Sequence, residues 1–222
     1  MLKWFQHKNY PDFWQEYDAA NKVPLPHSIQ ETSFVVFDTE TTGLHPKTDV
    51  VLSIGAFRVK NKTVFTSQGL ELYLQQERFK KESAAIHGLR KSGNEIKIPE
   101  SVAIEEFLSF IGNSVLVAHH AAFDIAMMNS ALKRMNLAKL KNKFIDTAQL
   151  FQRVVPSQQQ VKNLGLDEIA RYFKIPLHDR HTANGDAYIT ALIFIKLYTK
   201  YIQLNDLKLN DFLKSHQRTG LL

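Results

Sequence analysis

An α/β fold with a central mixed sheet and helices on both faces is predicted by three features of the chain. Three apolar runs of strand character stand close together from residue 33 onward, two further short apolar runs are each separated by helical patterns, and helices fill the remainder. Sequential antiparallel strands followed by strands that alternate with helices give the order βββαβαβα, in which the late strands run parallel and their crossover helices cover the sheet. With 222 residues the chain holds one domain of ordinary to large size and a short appendage.

Residues 1–31 stand apart. Tyr10, Phe13, Trp14 and Tyr17 recur at helical spacing, Pro11 sits where a helix can begin, and "VPLPH" at 23–27 is a stiff connector. Such an aromatic stripe is expected to pack on the chain's own body rather than on a partner. The main domain is expected over 32–202, with strands over 33–40, 50–60 and 63–74. Asn61-Lys62 forms the hairpin turn between the last two, although Asn-Lys is a weaker turn signal than Asn-Gly. A helix over 100–111, a strand at 114–119, a helix over 122–136 and a strand at 143–147 come next. Helices then follow at 148–153, 164–173 and 186–201, and residues 203–222 form a tail.

Twenty-eight Lys and Arg against 22 Asp and Glu give a net charge of +6 and a sequence pI near 9.4, which favours a polyanionic partner. There is no cysteine, which excludes disulfides, thiolate catalysis and Cys-built zinc sites. The N-terminus carries no apolar signal core, and the longest apolar stretch, Ile189 to Ile195, is too short to span a bilayer. A soluble, cytoplasmic protein is expected.

Within the first strand, "FVVFDTETTGL" at 34–44 places Asp38 and Glu40 two residues apart and therefore on one face. Two carboxylates beside an apolar sheet repel each other and lose hydration, so they call for a proton, a basic partner or a cation. Ligands in such sheets gather at the carboxyl ends of the parallel strands, where Asp124, Asp146 and Asp186 follow strands or open helices. Each alone is expected to be a helix cap; converging without cysteine, such acids make an all-oxygen site suited to Mg²⁺ or Mn²⁺. Paired ions of that kind clamp the oxygens of a phosphodiester displacement, with a histidine to take the proton.

"FDTETTGL" at 37–44, "AHHAAFD" at 118–124 and "HTANGDA" at 181–187 together resemble the three motifs of the DnaQ-like, DEDDh 3′-to-5′ exonucleases, a group that includes the epsilon proofreading subunit of bacterial DNA polymerase III. The resemblance runs from about Phe34 to Leu197. It implies an RNase H-like fold with a five-stranded sheet of order 3-2-1-4-5, and two Mg²⁺ or Mn²⁺ ions held by Asp38, Glu40, Asp124 and Asp186 with His181 as general base. By the same resemblance Thr41, Thr42, Gly43 and Leu44 line the terminal nucleotide, Leu44 wedging against its base, with His87 and Phe123 nearby. His120 departs from the Asn usual at its position. Asp146 is read as a helix cap, outside the site. The implied activity is release of nucleoside monophosphates from 3′ ends, of DNA before RNA, in proofreading or repair beside a DNA polymerase. Separately, the tail "QRTGLL" at 217–222 resembles the Gln-led, apolar-ended peptides that bind sliding clamps, with Gly220 where those peptides usually carry an apolar residue. An RNA-trimming enzyme and a non-catalytic nucleic-acid-binding module are the competing readings, the second disfavoured because all five catalytic positions are filled.

Overall fold

The computed structural model describes residues 10–77, 95–204 and 208–214. Helix α1 (Asp12–Ala20) leads into strands β1 (Phe34–Thr41), β2 (Val51–Lys60), β3 (Thr63–Gln75) and β4 (Lys97–Pro99). Next come α2 (Glu100–Ile111), β5 (Val115–Ala118), α3 (Ala122–Arg134) and β6 (Phe144–Asp146). The chain ends with α4 (Thr147–Val154), α5 (Leu166–Tyr172), α6 (Ala183–Leu204) and α7 (Leu209–Lys214).

The sheet order is β4-β3-β2-β1-β5-β6, with β1, β2 and β3 an antiparallel meander and β5 and β6 running parallel to β1. This is the expected order 3-2-1-4-5 with one correction: the sheet has six strands, because Lys97–Pro99 pairs in parallel with the outer edge of β3. A three-residue run with a single aliphatic residue and a terminal proline carries no strand pattern, and Pro99, which cannot donate to a ladder, confines it to an edge. The β2–β3 turn puts Asn61 and Lys62 at φ 45° and 65°, the twofold left-handed geometry that matches the twist of a two-residue hairpin.

Strand alternation builds two cores. Phe34 and Val36 face a layer made by α4, α5, α6 and α7, whereas Val35 and Phe37 face α1, α2 and α3. Both flanking helices contribute. Trp14 and Tyr17 of α1 are buried in the second core, and the Tyr17 hydroxyl accepts the Lys141 N–H at 2.8 Å and donates to Asn142. From α7, Phe212 is buried among Phe34, Phe194, Tyr198 and Tyr201. Among the described residues no helix is long and apolar enough to cross a membrane.

Candidate nuclease active site

Asp38 and Glu40 extend the β1 face that carries Phe34 and Val36, and they meet α6 at the carboxyl end of the strand. What lets the helix in is Gly55, the β2 partner of Asp38: a Cβ there would lie 2.3 Å from the Ala183 backbone. The helix opens at Ala183, one turn before the expected start at Asp186. Thr182 makes the difference, its hydroxyl accepting the Gly185 N–H at 3.0 Å as an N-cap. Asp186 consequently sits within the first turn, 8% exposed. One carboxylate oxygen from each of Asp38, Glu40 and Asp186 lies within 4.8 Å of the other two.

Asp124 arrives from the opposite layer. It stands in the first turn of α3, 3% exposed, and one of its oxygens accepts both the Thr39 N–H at 3.0 Å and the Thr39 hydroxyl at 2.6 Å. Thr39 points to the α3 side of β1 while its neighbours Asp38 and Glu40 point to the α6 side, so the residue between the two acids ties the third one to the strand.

The electrostatics are those of a site short of positive charge. Burial, followed by the charges of Asp124, Asp186 and Glu40, raises the Asp38 carboxyl well above the usual carboxylate range. Burial and then Asp186 push Glu40 up to about 7. Burial also pushes Asp124 up to about 7, against the Thr39 hydrogen bonds that favour its ionised form. Arg180 supplies part of the missing charge. It pairs with Asp186 and also with Asp167 at the start of α5. Burial acts to lower its pKa, but the bonds and charges of the two carboxylates outweigh that and raise it.

His181 is exposed on the turn between Arg180 and the helix cap, at φ 64°, and His178 is exposed three residues earlier. His119 is packed inward, its Nδ1 2.9 Å from the Thr147 hydroxyl, and burial followed by His120 holds it down at about 4. His120 is exposed at φ 56°, a left-handed conformation that Asn adopts readily and His tolerates, which accounts physically for either residue there. Thr41 and Thr42 are buried and Phe123 is half-buried, while Leu44 is 78% exposed; His87 lies outside the described residues. Asp146 caps α4, accepting the Ala148 N–H at 2.9 Å. Arg180 and Asp167 escaped the sequence reading, since an Arg inside "HDRH" reads as surface charge.

All four carboxylates offer hard oxygen donors, and the raised pKa values of Asp38, Glu40 and Asp124 mark a cluster that a divalent cation would relieve, so the donor set fits Mg²⁺ or Mn²⁺.

A family model described as Exonuclease, of the RNase T type, matches residues 35–194. Among curated proteins, the PolC-type DNA polymerase III of Caldanaerobacter subterraneus subsp. tengcongensis is 35% identical over 193 residues, covering 83% of this chain. That of Bacillus subtilis is 32% identical over 203 residues, covering 88%. The chain spans 13% of the length of either relative. Among solved structures, E. coli exonuclease I in complex with a dA16 oligonucleotide superposes with a TM-score of 0.69 at 16% identity, over 84% of this chain and 44% of that one. Exonuclease X in complex with 5′ overhanging duplex DNA gives 0.62 at 20% identity, over 79% of this chain and 96% of that one.

Proposed function

This chain belongs to the RNase T-type exonuclease family, and from that premise we propose that it hydrolyses phosphodiester bonds from the 3′ end of DNA, releasing nucleoside 5′-monophosphates. The observation that carries the reading is the packing of Asp38, Glu40 and Asp186 within 4.8 Å of one another, with Asp124 tied to the intervening Thr39. Four acids assembled from β1, α3 and α6 at one strand end repel one another and lose hydration, which suits an ion-dependent nuclease.

In this reading Asp38, Glu40, Asp124 and Asp186 hold two Mg²⁺ or Mn²⁺ ions, which supply charge neutralisation at the scissile phosphate. His181, exposed beside the N-terminus of α6, accepts the proton of the attacking water as its oxygen bonds to phosphorus and the bond to the 3′ oxygen of the penultimate nucleotide breaks. Thr41 to Leu44 hold the terminal nucleotide, and an unpaired end is preferred because a paired one must first be melted at a cost of a few kcal/mol. The catalytic unit is taken as residues 32–202, flanked by 1–31 and 203–222. The PolC-type relatives are DNA polymerases, which favours DNA and a proofreading or repair role beside a polymerase, in the cytoplasm.

Incubating the protein with Mg²⁺ and strands labelled at the 5′ or the 3′ end, as single-stranded DNA, mismatched duplex and RNA, tests this. A ladder shortening from the 3′ end, fastest on single-stranded and mismatched DNA, is expected. Faster trimming of RNA, or shortening from the 5′ end, overturns it.

A further inference from the structure

The loop that follows the two β1 acids is organised around a carboxylate with no part in the ion cluster. Asp49 is 1% exposed. One of its oxygens accepts the Thr42 hydroxyl at 3.1 Å, and the other accepts the His45 N–H at 2.9 Å. Thr42 is fixed in turn from the backbone, donating its N–H to the Val50 carbonyl at 3.0 Å and accepting the Val50 N–H on its hydroxyl at 3.1 Å. The Thr41 hydroxyl donates to the Gly43 carbonyl at 2.8 Å, and the His45 carbonyl accepts both the Thr48 and the Asp49 N–H. Gly43 is required by this closure, because a Cβ there would sit 2.6 Å from the Asp49 carboxylate.

The outcome is a loop closed at its base and pinned through its middle, with Leu44 projecting from the tip at 78% exposure. Burying an acid to hold a leucine in water makes no sense as a stability device, since both steps are unfavourable alone. It makes sense if Leu44 must wait in one pose for an apolar surface that arrives from outside. Directly after Asp38 and Glu40, the available surface is the face of an unstacked base at the strand end.

We propose that Asp49 is the positioning residue that sets the pose of Leu44 against the terminal base, an inference that rests on the exonuclease reading above. A leucine pre-set in its bound pose loses less conformational entropy on binding and registers the terminal nucleotide before the acids act. Loosening the loop therefore weakens the capture of the 3′ end and leaves the ion site as it was.

Steady-state kinetics on single-stranded DNA with Mg²⁺, alongside Mg²⁺-dependent melting of each variant, test this. Asn at position 49 keeps one acceptor but turns an amide N–H₂ toward one of the two donors. Asp49→Asn is expected to raise KM about 10-fold, with kcat within about 3-fold and the Mg²⁺-induced melting shift unchanged. Leu44→Ala is expected to raise KM by a similar factor, and the double variant no further than the larger single effect, because both act through one contact. If Asp49→Asn does not fold, Gly43→Ala loads the same contact from the other side and is expected to reproduce the split. An unchanged KM in Asp49→Asn, additive effects in the double variant, or a fall in kcat together with Mg²⁺ affinity would each overturn the proposal. A wild-type protein that degrades no strand would instead sink the exonuclease reading, and a Leu44→Ala protein with normal KM would remove Leu44 from the substrate site.

Discussion

The stability that Mg²⁺ adds over the chelated protein should grow as pH rises from about 5 to 8. Glu40 and Asp124 are held near 7, and Asp38 is displaced in the same direction. An acid whose pKa is raised on folding keeps its proton more tightly in the folded state. It brings no penalty below its ordinary value and the full penalty above its folded value, so stability falls through roughly pH 4 to 7. For Glu40, the difference between about 7 and the ordinary 4.5 is worth about 3 kcal/mol. Asp124 and Asp38 add less than their separate shares because the acids titrate against one another. In a chain of this size about 3 kcal/mol moves the melting temperature by roughly 6–12 °C. His119 works in the other direction: burial holds it at about 4, so it gains the fold stability as pH rises from about 4 to its ordinary 6.5. It contributes alike with and without ions, so the quantity to measure is the melting shift between saturating Mg²⁺ and chelator at each pH. That shift, read by scanning fluorimetry, should be small at pH 5 and reach several degrees at pH 8. A shift of equal size at both pH values, or a chelated protein more stable at pH 8 than at pH 6.5, would refute the reasoning.

Four further outcomes are expected. Replacing Asp38, Glu40, Asp124 or Asp186 with Ala should nearly abolish nucleotide release, and Asp38→Ala and Glu40→Ala, each of which removes a repelling charge, should also raise the melting temperature in chelator. Asp146→Ala should cost about 1 kcal/mol of stability through the lost α4 cap and leave turnover intact. His181→Ala should lower turnover by about 10²- to 10⁴-fold with DNA affinity retained, and the exposed His178→Ala should leave it unchanged; near-normal turnover in His181→Ala would leave the acids and their ions alone to activate the water. Trp14→Ala should destabilise the whole protein by about 3–5 kcal/mol in a thermal melt, because this α1 side chain is buried in the core under the sheet.

The pairing of Asp38 with Glu40 was legible because strand alternation is a local rule, and the same rule located the core faces of β1. The strand order, too, followed from the sequence of elements and the resemblance. Contacts that join distant elements were less so. Nothing local marks Asp124 as the acceptor of Thr39, 85 residues away, because the bond exists only once α3 is laid across the end of β1. Arg180 bridges Asp167 and Asp186, and neither spacing has a helical or strand period. Asp49 reads as an ordinary loop acid in "HPKTDV", since the sequence does not show that the loop folds back over it. The edge strand β4 is three residues long and defined by its partner alone.

A single strand serves both layers of this sandwich at its functional end, and that constrains what the chain can tolerate. Residues 34, 36, 38 and 40 of β1 face α6, and 35, 37 and 39 face α3, so the apolar core on either side runs directly into the acid site. A slip of one residue against β2 would turn Asp38 and Glu40 toward α3 and bring Thr39 under α6, dispersing the cluster while barely changing the count of buried apolar groups. The register is held by the unbroken pairing of Phe34 through Glu40 with Val59 through Ser53, and the irregularity in the ladder falls between Glu40 and Thr41, after the last acid. Placed there, the bulge frees the chain to leave the sheet into the Leu44 loop without disturbing the residues behind it. The acids thus inherit the rigidity of the sheet's central strand, whereas the Thr41 to Leu44 segment begins where the regular ladder ends.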